Sequence, residues 1–551
     1  MRGSLSLIRS FVRSLTLAAA SASVVGCASS TATAQTPAAT RSAAKPALVV
    51  FVTIDQLRPD YLDRWRSQLS GGLRRLVDEG RFIANGVHDH AITETAPGHA
   101  STLSGRFPYS TGIASNSAGV NTREAPLVGG AGTGASPYRF EGTVLADWMQ
   151  AVDPRTRVLS VSRKDRGAIL PVGRGKHGVF WYAPSNGRFV SSTWYGDSLP
   201  TWVQRFNDED RVMTRYAGQV WMPLLDESAY PEPDSAAGEV GTGEPTFPHI
   251  LAEDSLRARN LVMGFPYMDE LTLDFAWRGV RELRLGAGPQ TDLLAISLST
   301  TDAVGHRWGP DSRELHDQVL RLDRMLGVFL DSLVALRGQD RVILALTADH
   351  GVAPSPEVRS SWGDNRKAIR VSADAFDSAL AALGPVVQRE KLDPEAFTFD
   401  GMTLEVDRSK VVGKDKSVRE LAKVFASEVK RVKGVMRADV IDDLAKADTV
   451  KDAIARRWLH MFRPGGEVLV AVTLDPFNYR GGSSGATHGT PHDYDARVPI
   501  IFWGDHFAPG RDTSGARVVD IAPTLAEVLG VKPMERLDGQ VLRQVFRTPS
   551  P

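Results

Sequence analysis

The sequence predicts an α/β fold: a mostly parallel central sheet with helices on both faces and inserted cap segments. Three observations carry it. Apolar, β-rich runs with the look of buried strands recur at 47–54, 158–161, 293–298, 342–346 and 498–502. Helical patterns lie between them, notably at 59–79, 313–336 and 521–529, and such alternation argues for parallel pairing with both sheet faces covered. Polar, chemistry-bearing residues gather beside the strands, and open parallel sheets bind ligands outside the carboxyl ends of their strands.

In chain order, residues 1–26 predict a signal peptide. Arg2, Arg9 and Arg13 form a basic start, and 14–26 is a small, apolar run too short to remain in a bilayer as a span. Val24-Val25-Gly26-Cys27 resembles a bacterial lipobox, which implies that Cys27 is the first mature residue and carries lipid. Cys27 is also the one cysteine of the chain, so disulfides and thiolate zinc sites are excluded. Residues 27–46, rich in Ser, Thr, Ala and Pro, predict a flexible tether. The α/β domain is expected over 47–545. Two stretches break its rhythm and read as insertions, an aromatic and Pro-rich one at about 171–285 and a charged helical one at about 360–465. No later apolar run is long enough to span a bilayer, so the expected membrane contact is the lipid alone.

Lys plus Arg and Asp plus Glu both number 65, a net charge of zero that disfavours a nucleic-acid partner. With thiolate absent, any metal must be held by His, Asp or Glu. The 47–54 strand runs into Asp55, and the 293–298 strand into Asp302-Ala-Val-Gly-His306. The 342–346 strand runs into Asp349-His350, and His488 lies shortly before the 498–502 strand. One helical turn puts Asp302 and His306 on one face. Carboxylate and neutral imidazole are zinc ligands, and six of them divide into two sites of three, as a two-metal phosphoryl-transfer centre needs. Thr95, in Thr93-Glu94-Thr95-Ala96-Pro97, is placed at or near a helix N-cap, where the helix dipole and a nearby metal would activate its hydroxyl.

The ordered set Asp55, Thr95, Asp302-x-x-x-His306, Asp349-His350 and Thr487-His488-Gly489, closed by Asp520-Ile-Ala-Pro-Thr-Leu and Asp538-Gly539, resembles the alkaline phosphatase superfamily from about 47 to 545. The resemblance implies two Zn2+ per chain. Asp302, His306 and His488 would hold one, and Asp55, Asp349 and His350 the other. Thr95 would be transiently phosphorylated, and water activated by the first zinc would hydrolyse the phosphothreonine. Thr95-Ala-Pro-Gly-His99 lacks the Cys/Ser-x-Pro-x-Arg pattern of sulfatases, and it departs from the Thr-Phe-Pro-Asn-His of nucleotide pyrophosphatase/phosphodiesterases. Ser162-Arg163-Lys164-Asp165-Arg166 resembles the Lys-x-Arg motif of the PafA-type bacterial monoesterases, which implies that Lys164, Arg166 and Asn116 bind substrate. Arg offers a bidentate fork and Lys a point charge, a set suited to a dianionic monoester rather than a diester.

The expectation is an exported zinc alkaline phosphatase, periplasmic and lipid-anchored to the outer membrane. It would scavenge phosphate from small-molecule monoesters, with a monomer favoured. The alternatives are a nucleotide pyrophosphatase/phosphodiesterase-type diesterase and an inactive metal- or phosphate-binding lipoprotein. His88 and His90 read as residues of a polar surface or as a hydrogen-bonded pair, and His99 is given no ligand role. Gly129–Gly134 reads as a loop because Gly-Lys-Ser/Thr does not follow it. Trp181, Tyr182 and Trp194 are expected in the core of the first insertion.

Overall fold

The computed structural model describes residues 44–235, 239, 245–363, 367–482 and 485–547. The signal segment, Cys27 and all but the last three residues of the tether lie outside them.

Leu48–Ile54 is buried at every position because the strand has neighbours on both edges and layers on both faces. It pairs in parallel with Val342–Thr347 and Asp292–Leu298, so that Phe51 lies between Ala345 and Ala295. Among the described residues the sheet has ten strands. Their order is Gly510–Arg517, Arg81–Val87, Arg497–Trp503, Val342–Thr347, Leu48–Ile54, Asp292–Leu298, Val158–Ser162, Gly178–Ala183, Arg188–Ser192 and Leu127–Val128. The five strands from Val342–Thr347 to Gly178–Ala183 are parallel. No described helix is long and apolar enough to cross a membrane.

Three local expectations change. Arg497–Trp503, the 498–502 strand, is antiparallel to Val342–Thr347. The chain reaches it from the second insertion without a crossover helix, which a parallel return would need. The 59–79 helix is two, Pro59–Arg64 and Gly72–Glu79. Asp323, on the long helix Arg313–Arg337, accepts the backbone N–H groups of Ser70, Gly71 and Arg74 and so caps a new start. A Cβ at Gly71 would lie 2.2 Å from the Asp323 carbonyl oxygen, so only glycine permits this approach. Trp181 and Tyr182 are buried on a strand of the main sheet. Trp194 is not in the core: it is partly exposed, with Lys176 and Arg174 as cation–π partners.

The stretch around 171–285 therefore gives two strands to the central sheet, with Phe180 and Phe189 packing on Phe275. The second expected insertion forms its own four-stranded antiparallel sheet, ordered Phe397–Asp400, Thr403–Val406, Val468–Leu474 and Val435–Val440. Its core, including Leu404, Leu421, Phe425 and Val470, is distinct from the main one. Its strand Val468–Leu474 carries the unit beyond residue 465. A third small core joins Ile441, Trp458 and Met461 to Ala91, just before Thr95.

The helix Thr95–Ser104 is buried along its whole length and built mostly of small residues. That composition lets it lie against the end of Val342–Thr347, where a Cβ at Gly98 would fall 2.2 Å from the Asp349 carbonyl oxygen. Gly98→Ala is expected to cost about 1–3 kcal/mol by overpacking, read as a lowered urea midpoint. Gly264→Ala, where nothing lies within 4 Å of the added carbon, should leave the midpoint unchanged.

Candidate active site

Parallel strands bring Asp55, Asp302 and Asp349 to one edge of the sheet. Asp55 directly follows Leu48–Ile54, and Asp349 closely follows Val342–Thr347. Asp302 sits in the first turn of the helix Thr300–Trp308, which opens just after Asp292–Leu298. The antiparallel strand explains His488. Because Arg497–Trp503 runs the other way, its start lies at the edge where the parallel strands end. The segment before it, pinned by pairing of Ala486–Thr487 with Ala353–Pro354, carries His488 to the aspartates.

All six residues expected to bind metal come together. His306 Nε2 lies 3.2 Å from Asp302 Oδ1, and His488 Nε2 lies 3.7 Å from the same oxygen. His350 Nε2 is 3.4 Å from Asp55 Oδ1 and 3.6 Å from Asp349 Oδ2. Two groups have their donor atoms close enough to share an ion, Asp55–Asp349–His350 and Asp302–His350–His488. The first is the expected trio. The donor atoms of the other expected trio, Asp302, His306 and His488, also lie 3.2–3.7 Å from one another, and His350, whose ring stacks on His488 at 3.5 Å, stands between the two sets.

The histidines are oriented from behind. The Nδ1 atoms of His306, His350 and His488 lie 2.9, 2.9 and 2.8 Å from the backbone carbonyls of Ala486, Gly351 and Thr93. A carbonyl only accepts, so each Nδ1 carries its proton and each Nε2 turns inward. Burial lowers His350 and His488 towards the neutral form, whereas at His306 burial is outweighed by Asp302, which raises it. His306 Nε2 lies 3.2 Å from that of His488. His350 Nε2 and Asp55 Oδ1 are buried without a hydrogen-bond partner. Lone pairs and carboxylates converging in this way fit a cation and little else.

The charges agree. Burial, reinforced by Asp302 and Asp349, pushes the Asp55 carboxyl well above the usual aspartate range. Burial acts in the same sense on Asp302, but Lys164, His306 and His488 overcome it and hold that group well below. Asp349 is likewise held low against burial by His350 and His99. Burial, with His350 and His306, keeps His488 neutral. Lys164 Nζ already stands as a cation in the cluster, 2.6 Å from Asp55 Oδ2 and 2.8 Å from Asp302 Oδ2.

Thr95 is the first residue of its helix, one place inside the cap, with Glu94 at the N-cap. Lys164 Nζ donates to Thr95 Oγ1 at 3.2 Å. Asn116 Oδ1 accepts the Ala96 N–H at 2.9 Å, which leaves the Asn116 amide N–H groups for a ligand. Arg166 is partly buried and pairs with Asp165 at 3.5 Å.

Four neighbours were not predicted. Glu94 accepts the Asn116 backbone N–H at 2.7 Å. Arg163 lies 3.8 Å from Asp302. Gln56 bonds Asp302 and Asp349. His99, passed over in the sequence, has Nδ1 3.3 Å from Asp349 Oδ2 and Nε2 2.9 Å from Ser297 Oγ. Its spacing of four from Thr95 was the available signal; the other three had none. His88 and His90 are buried rather than superficial. They form an edge-on pair, and His88 Nε2 bonds the Ala348 carbonyl.

The profile of the type I phosphodiesterase / nucleotide pyrophosphatase family matches residues 49–458. The chain is 31% identical to alkaline phosphatase PhoV of Synechococcus elongatus over 92% of this chain and 94% of that protein. It is 33% identical to a protein of Myroides odoratus named calcium-transporting ATPase, over 89% and 92% of the two chains. It is 28% identical to alkaline phosphatase PafA of Elizabethkingia meningoseptica, over 90% and 93%. A crystal structure of PafA superposes with a TM-score of 0.83, covering 92% of this chain and all of that one at 26% identity. A second PafA crystal structure carries substitutions at a threonine, an asparagine, a lysine and an arginine.

Metal removal should expose the carboxylate repulsion. Asp55, raised in the folded state, keeps a proton that the unfolded chain releases, so its contribution to stability is present at low pH and lost as pH rises above the usual aspartate value. In chelator-treated protein, Asp55→Asn should therefore raise the thermal midpoint over wild type, by more at about pH 8 than at about pH 5. An equal gain at both would contradict the assignment.

Proposed function

Because the chain belongs to the type I phosphodiesterase / nucleotide pyrophosphatase family, within its alkaline phosphatase group, we propose that it hydrolyses phosphate monoesters through attack by Thr95. It is a phosphatase. The observation that carries the finer reading is Lys164, whose ammonium is hydrogen-bonded to Thr95 Oγ1 and ion-paired with Asp55 and Asp302.

Thr95 Oγ1 forms a bond to phosphorus while the bond to the ester oxygen breaks, and the alcohol leaves. Lys164 stabilises the developing Thr95 alkoxide by charge, and the first turn of the helix adds its positive dipole end. The free amide N–H of Asn116 and the guanidinium of Arg166 hold the non-bridging oxygens. Water then attacks the phosphothreonine, releases inorganic phosphate and restores the hydroxyl. Zinc in the two aspartate–histidine groups would lower the pKa of the Thr95 hydroxyl and offset charge on the leaving oxygen.

A diesterase is the second reading, favoured by the family's own description. Against it, Asn116, Lys164 and Arg166 suit a dianion, and the residue types altered in the second PafA structure are those of Thr95, Asn116, Lys164 and Arg166, in the same order. Export, lipidation at Cys27, an outer-membrane position facing the periplasm and a role in phosphate scavenging are parts of the same proposal. The lipobox-like Val24–Cys27 segment supports the first two.

Kinetics on an aryl phosphate and its methyl diester, with one zinc-loaded preparation, decide between the readings. Thr95→Ala should abolish measurable monoester turnover. Lys164→Ala combined with Arg166→Ala should lower monoester kcat/KM by at least about 10²–10³-fold and change diester turnover far less. An equal fall on both substrates would sink the monoester assignment.

A further inference from the structure

Gln56 follows Asp55 and is buried. Its φ of 67° is left-handed, a conformation that disfavours a residue with a long side chain. The backbone N–H donates to Asp349 Oδ1 at 3.1 Å, and side-chain Nε2 donates to Asp302 Oδ1 at 2.9 Å. Asp349 and Asp302 belong to different candidate metal groups. One residue thus holds a carboxylate from each.

A second local cost converges on the same side chain. Gly305 lies inside the helix that carries Asp302 and His306, where glycine is a poor helix former. A Cβ at Gly305 would fall 1.9 Å from Gln56 Oε1. Gln56 Oε1 itself is buried without a hydrogen-bond partner. A glycine at 56 would relieve the backbone and an alanine at 305 would favour the helix, yet the chain has neither. Strain of this kind, held in place by surrounding structure, is typical of functional sites.

We infer that Gln56 is a positioning residue that fixes the separation of the two metal groups. As a neutral donor it orients Asp302 and Asp349 without adding a charge that would compete with a cation, as a lysine there would. The inference rests on the metal reading of the aspartate–histidine cluster and goes beyond it, because it assigns the spacing of the ions to a residue that binds neither.

The test uses the full chain loaded with zinc, and two variants. Gln56→Asn keeps an amide, tolerates left-handed backbone and is too short to reach Asp302. Gln56→Gly with Gly305→Ala removes both local costs together. For each, zinc retained per chain is measured after dialysis against a competing chelator, and the unfolding temperature is measured on the metal-free form. At least one zinc should be lost about 10–100-fold more readily while the metal-free double variant unfolds no lower than wild type. Unchanged retention would overturn the inference, and so would weaker retention found only in variants with lowered unfolding temperature, since that marks a merely structural role. If wild type itself retains no zinc, the metal reading falls and the inference with it; retention by wild type and both variants alike defeats the inference alone.

Discussion

Three buried carboxylates a few ångströms apart cannot all stay ionised unless positive charge lies among them. Asp55, Asp302 and Asp349 impose that condition, and much of the surrounding structure answers it. Lys164 reaches in from the end of Val158–Ser162, Arg163 approaches Asp302, and three imidazoles turn Nε2 inward because their other nitrogens are tied to backbone carbonyls. Each carbonyl belongs to a different segment of the chain, so the cluster ties those segments together. The site and the loop structure around it are therefore one electrostatic problem.

The strand skeleton was legible because a strand buried on both faces is written as an unbroken apolar run, and parallel neighbours then send their ends to one edge. Asp55, Asp302 and Asp349 could be found by that logic alone. The direction of Arg497–Trp503 could not, because its apolar run is the same in either orientation and the connection before it decides. That reversal makes His488, which precedes its strand, a neighbour of residues that follow theirs. The break after Pro59–Arg64 was hidden for a related reason. The helical period continues across it, and the cause lies in Asp323, far along the chain, which caps the second helix.

Side-chain positions were legible where spacing carried them. The helical period put Asp302 and His306 on one face and the proline put Thr95 at a helix start, while the roles expected of them came from the family resemblance. Glu94, Arg163 and Gln56 had no such marker, since each acts through a contact that forms only after distant segments meet. Trp194 misled because composition says that an aromatic residue in an insertion is core, whereas Arg174 and Lys176 give its ring a place at the surface. The family resemblance placed His350 with Asp55 and Asp349, and the three donor atoms do lie together; the stacking of its ring on His488 had no signal in the sequence.

The same charge balance bears on what the site would accept. The three aspartates are matched in number and opposed in sign by Arg163, Lys164 and Arg166, so divalent cations would leave the pocket with surplus positive charge. A phosphate monoester dianion neutralises more of that surplus than a diester monoanion can. It also presents three non-bridging oxygens, and the donors near Thr95 differ in shape: an ammonium, a planar guanidinium and an amide. A diester would replace one of those oxygens with an ester group that accepts poorly and needs room. Discrimination would then come less from any single contact than from leaving one cationic donor unmatched, and an unmatched buried charge is the costlier outcome. By this reasoning the preference for a monoester would be set by Lys164 and Arg166 together, and removal of either one alone would already forfeit a large part of it.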